Sequence, residues 1–206
     1  MADLVRLDPE IWFSTFAIIK DKRGKTIKPE PNVLQKRMFE HYRECQLSGE
    51  ACKMVILKPR QKGASTCAQA LTYHHMRKHS DLAGSLMGDI QGTSDKVFEI
   101  YRRYAENDIF PWDGTGTNLD QGGSLADLIK LPSGSAYGKE TAGSKNAGRS
   151  GTIQVGNMTE TAFWPISGAK DPALGYLQSL YDGDSGSLEV ADSTPNGPGG
   201  WFYRTW

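Results

Sequence analysis

The sequence predicts an α/β domain whose sheet is mostly parallel and covered by helices on both faces. Three observations carry this. Short apolar runs at residues 54–57, 83–87, 152–158 and 188–192 read as strands. Amphipathic stretches at 33–48, 67–78 and 93–107 alternate with them, the pattern of β-α units. A chain of 206 residues with 38% apolar content is long enough to bury one substantial core.

Bulk properties narrow the partners. Basic and acidic residues balance at 24 each, so no global positive field advertises nucleic acid, and any DNA contact must come from a local patch. Cys45, Cys52 and Cys67 are odd in number and form no C-x-x-C pair, which suggests free thiols in a reducing compartment. No apolar core follows the first six residues, and the longest apolar runs of four or five residues fall far short of a membrane span. A cytoplasmic protein without membrane contact is the expectation.

In chain order, residues 1–31 read as a poorly periodic lead with charged turns at 21–25, and 32–206 as the domain proper. Asn32 is a helix N-cap, Leu34, Met38, Tyr42 and Cys45 form the buried stripe, and Gly49 closes the helix. Val97, Phe98, Tyr101 and Tyr104 share one face of the helix at 93–107. The Gly-rich stretch 113–123 is expected to be a flexible excursion. Pro132-Ser133-Gly134-Ser135 reads as a hairpin turn between strands. Residues 138–151 (GKETAGSKNAGRSG) have no apolar face and are expected to form an exposed loop carrying Lys139, Lys145 and Arg149. Asp171-Pro172 is an N-cap and first-turn pair opening a helix that Gly183 would end. Trp201, Phe202, Tyr203 and Trp206 make an apolar ending, which suggests that the native protein continues past Trp206.

The chemistry centres on Lys58-Pro59-Arg60-Gln61-Lys62-Gly63-Ala64-Ser65-Thr66. A strand enters this turn and a helix leaves it, so backbone N–H groups and a helix N-terminus converge on one spot suited to phosphate. Against the frame G-x-x-x-x-G-K-[ST], Gly63 and Ser65 fall in register, whereas Lys58 replaces the first Gly and Ala64 replaces the Lys. Lys58, Arg60 or Lys62 could supply the missing charge; the plain alternative is an ordinary basic turn. Gln35, just after the prolines, carries an amide able to meet an adenine edge, or else is solvated surface. Glu160 ends a strand at the edge where ligands of open α/β sheets collect. His75 and His79 stand i, i+4 on a helix but lack an evident third metal ligand.

Four of these signals come in a fixed order: proline-flanked Gln35, R-Q-x-G-x-S-T at Arg60–Thr66, T-E-T-A-F-W at Thr159–Trp164, and S-T-P-N-G at Ser193–Gly197. Together they resemble the N-terminal ATPase domain of tailed-bacteriophage terminase large subunits, over nearly the whole chain from about Pro29. The resemblance implies a P-loop NTPase fold of the RecA/ASCE type. It also implies Mg²⁺-dependent ATP hydrolysis coupled to translocation of double-stranded DNA into a procapsid in the host cytoplasm. Its partners would be the portal protein, the small terminase subunit and further copies of the chain in a ring, a pentamer, on the portal. Gln35 would read adenine. Lys58, Arg60, Gln61, Lys62, Gly63, Ala64, Ser65 and Thr66 would form the variant Walker A loop. Glu160 would activate the attacking water, and Arg149 sits where related terminases carry an arginine finger. Ser193, Thr194 and Asn196 fall in the coupling motif. Ser65, Thr159 and Glu160 would hold Mg²⁺, partly through water. The family's C-terminal nuclease domain has no room here, so no nuclease activity is expected.

Two departures matter. Ala64 occupies the usual loop-lysine position, and Thr159 occupies the Walker B aspartate position, which removes one carboxylate from the metal. These favour a competing reading from another class: a non-hydrolysing, degenerate P-loop module that clamps phosphate or nucleic acid.

Overall fold

The computed structural model describes residues 8–109, 127–142, 144, 151–165 and 171–206. Asp8 caps a first helix, α1 (Pro9–Thr15), by accepting from the Glu10 and Ile11 amides. A two-stranded antiparallel ribbon, β1 (Ile19–Lys20) and β2 (Thr26–Ile27), leads to α2 (Val33–Ser48). Asn32 and Gln35 close a reciprocal capping box at its start, and Gly49 at φ 78° ends it. There follow β3 (Cys52–Leu57), α3 (Ala64–Lys78), β4 (Ala83–Gly88), α4 (Gln91–Asn107), β5 (Leu128–Lys130), β6 (Ala136–Thr141) and β7 (Val155–Thr159). A 3-10 turn (Thr161–Phe163), α5 (Pro172–Leu177), β8 (Leu188–Ser193) and α6 (Gly200–Thr205) complete the chain.

The sheet order is β3-β8-β7-β4-β6-β5, parallel throughout except for β5 at the edge. Although β8 comes last in sequence, it lies between β3 and β7, which brings the C-terminal ends of all three strands to one edge. Alternation along the strands builds two cores. Leu86, Val155, Leu188 and Val190 pack with α1 to α4, while Met87, Met158 and Ala191 face the other way, against Trp164, Ala173 and Tyr176. The two-faced α/β architecture predicted from the sequence is what the chain adopts.

Three local expectations need correction. The lead contains α1, whose Trp12 and Phe13 are fully buried in the larger core, with the Trp12 ring 5.3 Å from Tyr73 and 5.6 Å from Tyr104. Seven residues are too few to display a helical period. The helix after Asp171 stops at Leu177 rather than reaching Gly183, because the chain turns to pair with Ile153: Ile153 N–H donates to the Ser179 carbonyl and Tyr181 N–H to the Ile153 carbonyl. Residues 138–141 are not loop but the second half of β6, where Lys139 pairs with Asp95 and Asp127 over the Phe98 ring. The excursion at 113–123, Lys145 and Arg149 lie outside the described residues.

The hairpin at 132–135 forms as expected, with Leu131 N–H donating to the Ser135 carbonyl and Gly134 at φ 84°. All three cysteines are buried and free. Among the described residues, no helix is long and apolar enough to cross a membrane.

Candidate functional site

The basic turn is built by backbone conformation and by bracing from α2. Gln61 (φ 60°) and Gly63 (φ 72°) are both left-handed, which reverses the chain sharply between Leu57 and α3. No side chain caps the start of α3, and the first helical bond there is Cys67 N–H to the Gly63 carbonyl. The preceding amides, of Ala64, Ser65 and Thr66, therefore face the space outside the helix without intrahelical partners. From α2, Gln35 Nε2 donates to the Gly63 carbonyl at 2.9 Å and Asn32 Nδ2 to the Lys62 carbonyl at 3.0 Å. A Cβ at Gly63 would stand 2.7 Å from Gln35 Nε2, so only glycine suits both the backbone and the brace.

Lys58 is the hub. It leaves the end of β3 with its N–H on the Ser193 carbonyl, and its side chain is only 7% exposed. Its ammonium donates to Ser65 Oγ at 2.7 Å and to Asp192 Oδ2 at 2.8 Å, and lies 3.5 Å from Glu160 Oε1. Ser65 Oγ in turn donates to Asp192 Oδ2 at 2.7 Å. Glu160 takes a left-handed backbone (φ 52°) immediately after β7, and Thr194 donates to its Oε2 from both N–H and Oγ1, at 3.3 and 3.2 Å. Of the three non-glycine residues with positive φ among the described residues, Gln61 and Glu160 both face this cavity, as strained residues at functional sites do.

The cavity so formed measures about 560 Å³. Lys58, Arg60, Gln61, Lys62, Gly63, Ala64, Ser65, Thr66, Glu160 and Thr194 all line it, together with Asp89 and Phe163. Among the three cations, Lys58 is buried at its floor, and Arg60 and Lys62 are exposed at its rim. The segment after β8 is latched to the turn that carries Glu160. Ala162 N–H donates to Ser193 Oγ at 3.1 Å, and Asn196 Nδ2 to the Ala162 carbonyl at 2.9 Å.

Other sequence-predicted residues sit differently. Gln35 lines a second, adjoining cavity of about 930 Å³, but its Oε1 already accepts from Asn32 N–H while its Nε2 braces Gly63. Any adenine contact would come on top of that structural task. Thr159 is buried and does not reach the cavity; its carbonyl accepts from the Trp164 indole N–H at 3.0 Å. Trp164 is packed edge-on against Tyr176, 6.3 Å away. His75 uses both nitrogens internally, accepting from Tyr42 Oη at Nδ1 and donating from Nε2 to the Gly186 carbonyl, so the i, i+4 pair with His79 is no metal grip. Sequence reasoning missed Asp89 and Asp192. Neither belongs to a motif, and Asp192 reaches the site only because β8 inserts beside β3.

Neither a protein-family model nor a curated protein sequence matches the chain. Solved structures do. The large terminase of bacteriophage HK97 superposes with a TM-score of 0.69 at 12% identity, over 91% of this chain and 37% of that one. The large terminase of a thermophilic bacteriophage gives 0.64 at 13%, over 86% and 42%. The large terminase ATPase domain of Thermus phage P74-26 gives 0.55 at 18%, over 85% and 68%. The chain thus spans well under half of the first two proteins. At these identities the likeness is one of architecture: the chain shares the P-loop NTPase fold of bacteriophage large terminases.

Proposed function

We propose that this chain is the ATP-hydrolysing motor domain of a viral DNA-packaging terminase. One observation supports it above the others: Lys58 and Ser65 of the basic turn and Glu160, far along the chain from them, converge on one cavity at the N-terminus of α3. The donor set suits a magnesium nucleotide. It offers the Ser65 and Thr66 hydroxyls, the Glu160 and Asp89 carboxylates and unpaired helix amides, oxygen and N–H chemistry matched to a hard cation and to phosphate. Bound Mg²⁺ would neutralise phosphate charge. Ser65, Thr66 and Glu160 would hold it, partly through water, and Lys58 would meet the phosphates.

In this reading Glu160 orients and deprotonates the attacking water. Its left-handed backbone and the two Thr194 donors fix the carboxylate near Lys58. Thr194 and the latches at Ser193 and Asn196 pass a change at Glu160 to the end of β8, which is the coupling role. Double-stranded DNA, a portal protein, a small terminase subunit and other copies of the chain in a ring, pentameric on the portal, are the partners this function requires.

Glu160→Gln tests it. ATP affinity should stay within a few-fold of wild type while Mg²⁺-dependent turnover falls by about 10²-fold or more. Turnover left near the wild-type rate removes Glu160 as the base. Wild-type protein that binds ATP but never hydrolyses it, with or without DNA, favours the non-hydrolysing phosphate clamp.

A further inference from the structure

We propose that Asp192 is the magnesium-positioning carboxylate of this site, delivered from β8 in place of the acid that Thr159 lacks on β7. The inference rests on the magnesium–ATP reading above and names a residue that reading does not use. Thr159 and Asp192 are register partners on adjacent parallel strands, and Asp192 is also the register partner of Ile56 on β3. Moving the carboxylate one strand over, by about 4.8 Å, carries it toward the phosphate-type turn rather than away from it.

Its contacts fit that task. Asp192 is 2% exposed, and its Oδ2 accepts from both Lys58 and Ser65. A hydroxyl has one proton and two lone pairs. Ser65 gives its proton to Asp192 and one lone pair to the Lys58 N–H, which leaves a single lone pair for an ion. Asp192 thereby fixes which way the hydroxyl can coordinate, as outer partners of metal ligands do.

A plain counter-ion for Lys58 would not account for the rest. Asp192 Oδ1 is buried with no hydrogen-bond partner among the described residues, and so is Thr159 Oγ1 beside it in register. An acceptor without a donor and a donor without an acceptor, both buried, are costly to leave so. When Lys58 turns toward phosphate, Asp192 gives up one donor, and the Thr159 hydroxyl stands ready to replace it. Thr159 then serves as the support of Asp192 rather than as an ion ligand.

The test is ATP affinity measured by calorimetry with excess magnesium chloride and again with EDTA. In wild type, magnesium should tighten binding. In Asp192→Asn the ratio of the two affinities should fall by about tenfold or more, the usual cost of removing an outer-shell partner. Adding Thr159→Asp to that variant should restore most of the ratio. An unchanged ratio in Asp192→Asn, or an equal loss with and without magnesium, overturns the proposal and leaves the ATPase reading standing. No magnesium dependence in wild type sinks both. If Asp192→Asn does not fold, Asp192→Glu, which keeps a carboxylate for Lys58 but displaces its oxygens from Ser65, is measured instead: a fall in the ratio is required, and an unchanged ratio refutes the role.

Discussion

An ammonium group held between an alcohol and two carboxylates has little in common with a solvated surface lysine. Lys58 makes these contacts at the cavity floor, whereas Arg60 and Lys62 extend from its rim. Charge-assisted hydrogen bonds contribute about 1.5–3 kcal/mol, so Lys58→Ala should weaken nucleotide binding by about 10- to 100-fold. It should also lower the melting temperature, because Asp192 would be left buried without its cation. Arg60→Ala and Lys62→Ala should change affinity only a few-fold and leave melting alone. Calorimetry and thermal unfolding of the three variants decide it, and a loss confined to Lys62→Ala overturns the assignment. Local sequence offers these three as candidate phosphate cations, and what sets Lys58 apart, its contacts with Asp192 and Glu160, comes from distant parts of the chain. Asp192 itself was illegible for the same reason.

Elements with a full hydrophobic period were legible; short ones and those shaped by distant partners were not. The 16 residues of α2 show their stripe and both caps in sequence; both caps form, Met38, Tyr42 and Cys45 are buried, and Leu34 is half-buried against the core. The seven of α1 show no stripe, although Asp8-Pro9 is the same cap pair as Asp171-Pro172, and α5 is cut short by a bridge to Ile153 that no local signal announces. On α3, the i, i+4 histidines are ambiguous in sequence because the partners of the two His75 nitrogens, Tyr42 and Gly186, come from other parts of the chain. Burial, helped by the neighbouring His79, lowers the His75 pKa to about 3. The unfolded imidazole takes its proton near pH 6.5, and the folded one only near 3. Stability from this group is therefore complete above about pH 6.5, and it falls by about 1.4 kcal/mol per pH unit below that, until pH 3. Between pH 7 and pH 5, urea unfolding of wild type should lose about 2 kcal/mol more than unfolding of His75→Gln. Equal losses in the two proteins would show that His75 is not the sensitive group.

At the scale of the molecule, the order of strands bears on Arg149. β6 and β7 both run parallel to β4, with Thr141 and Thr159 each paired to Gly88. The chain therefore leaves β6 at the edge that carries the cavity, and must return to the opposite edge to begin β7 at Val155. Its departure point is across β4 and β7 from β8 and β3, on the flank of the sheet remote from the phosphate-type turn. Arg149 belongs by sequence to this connection, whose two described ends lie at opposite edges of the sheet. We expect Arg149 to act in trans, supplying charge to the transition state in the adjacent subunit; such arginines are worth about 10³–10⁵ in rate. An isolated domain should then hydrolyse ATP slowly and speed up on assembly. Arg149→Ala and Glu160→Gln subunits, each inactive alone, should regain part of the wild-type rate when mixed under ring-forming conditions. Some interfaces then pair an intact Glu160 with a neighbour's intact Arg149. Rings shown to contain both variants yet still inactive would mean that the arginine works within its own subunit or has no part in hydrolysis.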